Sequence, residues 1–420
     1  MKPKNGLKGE LTIPADKSIS HRAVMFSSLA KGSCIIRNFS SGADCRSTLN
    51  LFKKLGVDIN VTEEKTLTVK SDGMLKSSDI PLYCGNSGTT MRLVSGILAG
   101  SNNEYILTGD ESLSKRPMKR IIEPLKLMGA KIYSDNGCAP LKIIGTELHG
   151  IEYSSPLASA QVKSCILLAG MNADGKTVYK EPYLSRNHTE LMLKYMGADI
   201  KAKDNVISIS KSDLTAKDID IAGDISSAAF FIAAGLIVPN SDIIIKNTGI
   251  NPTRTGILDV VKRMGGSLEL MNKVEKSGEV VADIHVNYTD NLKACTIEGA
   301  DIPRLIDELP VIAILASQAE GETVVKDAQD LRNKESDRIK CLVCELSKIG
   351  IDIEEREDGF IVKGKTKIRG GAELNSYNDH RLGMSFYVAG LLADNELGIE
   401  GYEWTKISFP EFDEMMNNLQ

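Results

Sequence analysis

No apolar run in this sequence approaches the roughly 20 residues needed to cross a bilayer. Its start, Met1-Lys2-Pro3-Lys4-Asn5-Gly6, lacks the apolar stretch of a signal peptide, so a cytoplasmic protein is expected. Basic residues are not in excess. A formal net charge of -5 argues against a general binder of nucleic acid or other polyanions, while leaving room for a local basic pocket. Regularly spaced cysteines are also missing. Eight cysteines scattered over 420 residues read as reduced thiols, and Cys341-x-x-Cys344 has no second pair or nearby histidine with which to hold a metal. What remains is ordinary for a globular chain: 42 % hydrophobic, 25 % charged and 5 % aromatic residues, long enough for two or three domains.

The most informative feature is internal repetition. LFKKLGVDI, PLKLMGAKI, MLKYMGADI, VVKRMGGSL and ELSKIGIDI share one pattern, an amphipathic helix, a glycine C-cap and then a strand. Their glycines, Gly56, Gly129, Gly197, Gly265 and Gly350, fall mostly about 70 residues apart. A second element precedes each copy, a polar start leading into a helix of small and apolar residues. These begin at Ser18, Ser87, Ser159, Ser226, Asp307 and Asp379, and a short strand follows each.

The chain is therefore six units, an α/β (α+β) protein whose units divide three and three near Ala222-Gly223-Asp224. The expected domains are 14–222, and 1–13 plus 223–420, with the chain crossing twice. The sixth unit stops inside its second helix, FDEMMNNLQ, and the opening strand LKGELTIP is expected to supply its missing strand.

The recurring first helices read as buried, with polar residues at their amino-terminal ends. A helix amino terminus carries free N–H groups and a partial positive charge that attract phosphate and carboxylate. Loops returning to that end carry Arg116, Arg186, Lys334, Arg338 and Lys406. The expected ligand is small and bears several negative charges, in a cleft between the two halves.

Four segments stand out, and each also has a plain structural reading. Lys17-Ser18-Ile19-Ser20-His21-Arg22 could be a serine N-cap with solvated charges. Gly85-Asn86-Ser87-Gly88-Thr89-Thr90-Met91-Arg92 could be a turn and cap, although its glycines let a ligand approach the backbone. Asn333-Lys334-Glu335-Ser336-Asp337-Arg338 could be a salt-laced helix face. Asn378-Asp379-His380-Arg381 could be a capped helix start. All four fall at the same end of their units, which favours a shared anion site. Gly170-Met171-Asn172-Ala173-Asp174-Gly175-Lys176-Thr177 satisfies a phosphate-loop pattern, but a helix precedes it and a strand follows, the reverse of the required order. It reads as a tight turn.

The strings DKSISHR, GNSGTTMR, KRPM, SAQVKS, IDELP, NKESDR, NDHR and TKISFPEF run from Asp16 to Phe412. In that order they resemble the 5-enolpyruvylshikimate-3-phosphate synthases. The resemblance implies two similar domains, each of three βαβαββ units, with the substrate cleft at the hinge. It implies transfer of the enolpyruvyl group of phosphoenolpyruvate to the 5-hydroxyl of shikimate 3-phosphate, through a tetrahedral intermediate, with release of phosphate. No metal or organic cofactor takes part in the family reaction, and a monomer is expected.

By motif position, the resemblance gives shikimate 3-phosphate to Lys17, Ser18, Arg22, Ser159, Ala160, Gln161, Arg186, Asp307 and Lys334. Phosphoenolpyruvate falls to Lys17, Asn86, Gly88, Arg116, Gln161, Arg338, Arg381 and Lys406. Asp307 would take the proton of the attacking hydroxyl, and Glu335, assisted by Lys17, would manage the proton at the methylene carbon. Forked guanidinium groups suit carboxylate and phosphate. The chain departs from many members in two places. Ala160 replaces a serine, with Arg186 as the compensating residue, and Leu93 replaces a proline. Glyphosate occupies the phosphoenolpyruvate site in this family.

Two rivals remain at this point. One is the related transferase acting on UDP-N-acetylglucosamine, which usually carries a reactive cysteine where this chain reads Gly109 to Arg116 without one. The other is a catalytically silent module on the same fold, against which Asp307, Glu335 and Lys17 all stand intact.

Overall fold

The computed structural model describes residues 6–420, so the reading made on Met1 to Asn5 lies outside the described residues. The chain forms two compact units. The amino-terminal unit is Ala15–Ala222 with Glu275–Glu279, and the carboxy-terminal unit is the opening segment up to Pro14 with Gly223–Val274 and Val280–Gln420. Each has its own hydrophobic core.

Five of the six repeats build the same strand arrangement, four-stranded in four of them and five-stranded in the first, where the leading strand is in two pieces. In the second repeat, Leu82–Tyr83 pairs parallel with Glu104–Thr108, which pairs antiparallel with Cys138–Ile144, which pairs antiparallel with Lys131–Asp135. The leading strand of the first repeat is supplied late in the chain, by Leu214–Thr215 and Ile219–Asp220 alongside Ala30–Arg37. The opening strand Lys8–Thr12 plays this part for the fourth repeat, running parallel to Asp242–Gly249. This corrects the expectation that it completes the sixth repeat. That repeat keeps only the pair Glu373–Asn375 and Gly398–Glu400. Strand alternation identifies the segment as a strand but cannot choose between two distant parallel partners.

Helix-to-strand turns follow from glycine chemistry. Gly56, Gly129, Gly197, Gly265 and Gly350 all have φ between 74 and 100°, the left-handed C′ position that closes a helix and that a β-carbon disfavours. The first helices of the repeats are buried because they are apolar on nearly every face. In Leu309–Ser317 every residue is buried, and in Ile225–Ile237 every residue except Ser227. Helices Gly88–Ala99 and Ala160–Gly170 approach so closely that a β-carbon on Gly96 would lie 2.1 Å from the Cys165 carbonyl oxygen.

The helix starts are partly as expected. Ser87, Ser159 and Asp379 are N-caps. Helix Lys17–Leu29 is capped instead by Asp16, whose carboxylate accepts from the Ile19 N–H at 2.8 Å, which puts Ser18 inside the first turn. Asp224, not Ser226, caps Ile225–Ile237, and a separate turn of helix, Ile302–Leu305, precedes Asp307. A carboxylate one or two residues upstream satisfies the same free N–H groups as a serine would. The segment from Gly170 to Thr177 joins helix Ala160–Gly170 to strand Lys176–Lys180, as its residue order requires of a turn. Among the described residues, no helix is long and apolar enough to cross a membrane.

Candidate active site

In the amino-terminal unit, three helix starts bring most of the expected residues into two hydrogen-bonded groups. Arg22 is only 3 % exposed. Its Nε donates to Thr189 Oγ1 at 2.7 Å, Nη2 to Ser164 Oγ at 2.9 Å and Nη1 to the Ser18 carbonyl at 3.0 Å. These partners are uncharged, and two of the five guanidinium N–H groups are left over. Burial pulls the Arg22 pKa down to about 10, against the pull of Glu190 and Asp16. Lys17, partly exposed, forms an ion pair with Asp44.

The second group gathers around Gly88. Arg116 Nη2 donates to Asn86 Oδ1 at 2.7 Å, and Asn86 Nδ2 donates to Asp110 at 2.7 Å. Arg92 donates to Gln161 Oε1, while Gln161 Nε2 donates to Thr89 Oγ1 at 3.0 Å. A β-carbon on Gly88 would lie 3.0 Å from Arg92 Nη1 and 3.8 Å from Arg116 Nη1, so two guanidinium groups flank that backbone. Asn86, Gly88, Arg116 and Gln161 are therefore drawn together as expected. Arg92 joins them without having been assigned a role. Its signal was its spacing, one helical turn beyond Gly88 on the same face.

Ser159 caps Ala160–Gly170 through a long contact of 3.5 Å to the Val162 N–H. Ala160 opens that helix. Below them, fully buried Lys163 ion-pairs with Glu181 at 2.9 Å and Glu190 at 2.8 Å and donates to the Ser185 carbonyl at 2.9 Å. Glu181 also accepts from the Ser185 N–H at 2.8 Å. These contacts anchor the loop that carries Arg186, another contribution that sequence reasoning missed.

In the carboxy-terminal unit the organising residue is Arg338, 2 % exposed. Its Nε lies 2.7 Å from Asp379 Oδ2, its Nη2 lies 2.7 Å from Glu335 Oε2 and 3.2 Å from Asp379 Oδ1, and its Nη1 lies 3.5 Å from Asp307 Oδ1. Burial alone would lower the Arg338 pKa, but Asp379, Glu335 and Asp307 more than offset it and hold it above its ordinary value. Burial works against the Asp379 carboxylate too, and Arg338 overcomes this to keep it below the ordinary range.

Asp379 caps the last buried helix by accepting from the Arg381 N–H at 2.9 Å, and Arg381 Nη1 donates to the Ser226 carbonyl at 2.8 Å. Lys334, next to Glu335 in the chain, pairs with Asp330 at 3.3 Å. Lys406 is exposed on the turn Tyr402–Ile407, and no hydrogen bond or ion pair among the described residues joins it to the others. Among the described residues, no group of three or more His, Cys, Asp or Glu side chains is placed to hold a metal ion.

The geometry can do two things chemically. It offers guanidinium and backbone N–H donors to small anions, and it holds two partly exposed carboxylates, Asp307 and Glu335, about one buried guanidinium.

Comparison with known proteins agrees. The family model described as EPSP synthase (3-phosphoshikimate 1-carboxyvinyltransferase) matches residues 1–416. The chain is 51 % identical to the 3-phosphoshikimate 1-carboxyvinyltransferase of Thermodesulfovibrio yellowstonii, covering 99 % of this chain and 97 % of that one. To the Bacillus subtilis protein of the same name it is 49 % identical, covering 98 % and 97 %. Among solved structures, EPSP synthase from Acinetobacter baumannii superposes with a TM-score of 0.90 at 42 % identity, covering 100 % of this chain and 97 % of the other. The enolpyruvyl transferase NikO from Streptomyces tendae, at 18 % identity and a TM-score of 0.81 over 100 % and 96 %, shares the fold.

Proposed function

The chain belongs to the EPSP synthase (3-phosphoshikimate 1-carboxyvinyltransferase) family, and from that premise we propose which of its residues carry the reaction. The enzyme is a transferase of the shikimate pathway to the aromatic amino acids. It moves the enolpyruvyl group of phosphoenolpyruvate onto the 5-hydroxyl of shikimate 3-phosphate and releases phosphate.

In the amino-terminal unit, Ser18, Arg22, Ser159, Ala160, Gln161 and Arg186 hold shikimate 3-phosphate. Asn86, Gly88, Arg116 and Gln161, with Arg92 beside them, hold phosphoenolpyruvate. Lys17 serves both. In the carboxy-terminal unit, Asp307 and Lys334 act on the acceptor, while Arg338, Arg381 and Lys406 act on the donor. Asp307 removes the proton of the 5-hydroxyl as its oxygen bonds to the central carbon of phosphoenolpyruvate. Glu335, with Lys17 assisting, delivers a proton to the methylene carbon and removes one as phosphate departs. The protein works as a cytoplasmic monomer.

The observation that carries this reading is the seating of Asp307 and Glu335 on Arg338, although the three are spread over 32 positions of chain. A shared guanidinium holds the two carboxylates beside one another, within reach of the protons the reaction moves. Measuring phosphate release from phosphoenolpyruvate tests it. Release is expected with shikimate 3-phosphate and not with UDP-N-acetylglucosamine, and dependence on the sugar nucleotide would overturn the reading.

A further inference from the structure

His21 belongs to the Lys17–Arg22 segment, yet the proposed chemistry does not use it. Its ring is fully buried. Nδ1 lies 2.6 Å from Thr48 Oγ1, Thr48 Oγ1 lies 2.6 Å from Thr90 Oγ1, and the Thr90 hydroxyl donates to Ser87 Oγ at 2.8 Å. Ser87 Oγ also accepts from the Thr90 N–H at 3.1 Å, which makes it the cap of helix Gly88–Ala99. All four side chains are at most 1 % exposed, so the row runs through the interior, from helix Lys17–Leu29 through Thr48 in helix Ala43–Lys54 to the start of Gly88–Ala99. Nε2 of His21 has no hydrogen-bond partner.

Each hydroxyl has one hydrogen to give, which orders the row. Thr90 gives its hydrogen to Ser87, so Thr48 must give its own to Thr90. Thr48 must then receive from His21, which places the ring proton on Nδ1 and leaves a bare lone pair on Nε2. The reversed order would strand an N–H at Nε2 in an apolar interior, and buried unpaired N–H groups are rarer than under-used acceptors. Burial holds the ring neutral, with a pKa of about 3; Asp44 opposes this, and Lys17 and Arg22 reinforce it.

We propose that His21 is a positioning residue for the donor substrate, fixing through Thr48 and Thr90 the Ser87 cap that sets the backbone of Gly88 and Thr89. The inference rests on the donor-site reading of Gly88. Without a donor at Nδ1, Thr48 and Thr90 lose their fixed order, and Thr90 is free to rotate away from Ser87. The first turn of the helix then loosens where phosphoenolpyruvate meets the backbone.

The test uses the full chain labelled with ring-¹⁵N histidine, with the His21 signals assigned by their loss in His21→Asn. The order predicts a protonated Nδ1 and a bare Nε2 from about pH 5 to about pH 9. A proton on Nε2 overturns it. In steady-state kinetics, His21→Leu raises KM for phosphoenolpyruvate about tenfold, with kcat and KM for shikimate 3-phosphate within about twofold. His21→Asn, whose amide replaces the Nδ1 donor, stays within about threefold of wild type. Equal rises in both KM values would mark a merely structural role and overturn the inference. If His21→Leu does not fold, Thr48→Val must show the same donor-selective rise, and its failure to do so counts equally against the proposal. Backbone signals of Gly88 and Thr89 separate the two levels of inference. If they ignore shikimate 3-phosphate with the unreactive inhibitor glyphosate, the donor-site reading fails and this inference with it. If they respond while His21→Leu keeps the wild-type KM, only the positioning role fails.

Discussion

Arg22 and Arg338 are both buried near helix starts, one in each unit, yet they keep opposite company. Arg22 bonds to two hydroxyls and a carbonyl. Arg338 is ringed by the carboxylates of Asp379, Glu335 and Asp307. Burial drags the Arg22 pKa down to about 10, whereas the carboxylates lift that of Arg338 above its ordinary value. A guanidinium held by uncharged oxygens still owes its desolvation cost, and an arriving anion offsets it. One already matched by carboxylates gains less from another anion, and it also fixes where those carboxylates sit. The two positions look alike in sequence, yet one guanidinium keeps uncharged partners and the other keeps three carboxylates.

The largest effect that bears on this contrast is at Asp307, the carboxylate paired with Nη1 of Arg338. Asp307→Ala is expected to lower turnover by about 10²- to 10⁴-fold while calorimetry still finds acceptor binding. Loss of binding with turnover preserved would reverse the assignment. Next is stability. Arg338→Leu strands fully buried Asp379 and is expected to cost about 3–5 kcal/mol in urea unfolding. Arg22→Leu, which leaves only hydroxyl and carbonyl partners, costs about 1–3 kcal/mol. Equal costs would erase the distinction.

His21 sharpens the comparison, because burial also holds its pKa down, to about 3 against an ordinary 6.5. Above pH 6.5 the ring is neutral in both folded and unfolded chains. Between pH 6.5 and about 3 the unfolded chain binds a proton that the folded one refuses. Stability therefore falls with falling pH, by up to about 1.4 kcal/mol per unit from this group. His21→Asn should flatten that slope by one proton. The smallest expected effect is at Gly88, where an added β-carbon would press on Arg92 at 3.0 Å. Gly88→Ala should raise the ratio of the glyphosate inhibition constant to KM for phosphoenolpyruvate about tenfold. An unchanged ratio would remove Gly88 from the donor site.

Much of this was legible in the sequence, for identifiable reasons. The repeats showed because helix, left-handed glycine and strand recur locally, and local patterns survive folding unchanged. The start of Ala160–Gly170 could be read from Ser159 for the same reason. The caps at Asp16 and Asp224 were missed because serine and aspartate compete for the same N–H groups within one turn, and backbone dihedrals decide between them. The partner of the opening strand was misread because parallel pairing over more than 200 residues leaves no periodic trace. The carboxylates around Arg338 were not legible, because they come from three separate segments and only tertiary structure joins them. The pairing of Lys163 with Glu181 and Glu190 left no local trace either, because both partners lie well beyond its own helix.

The most direct measurement is calorimetric titration of shikimate 3-phosphate into wild type and Arg22→Leu, with folding of both checked by thermal melting. If Arg22 is the guanidinium left open for the acceptor's phosphate, affinity falls about ten- to hundredfold in the variant. Wild-type affinity in a folded Arg22→Leu protein would contradict the account.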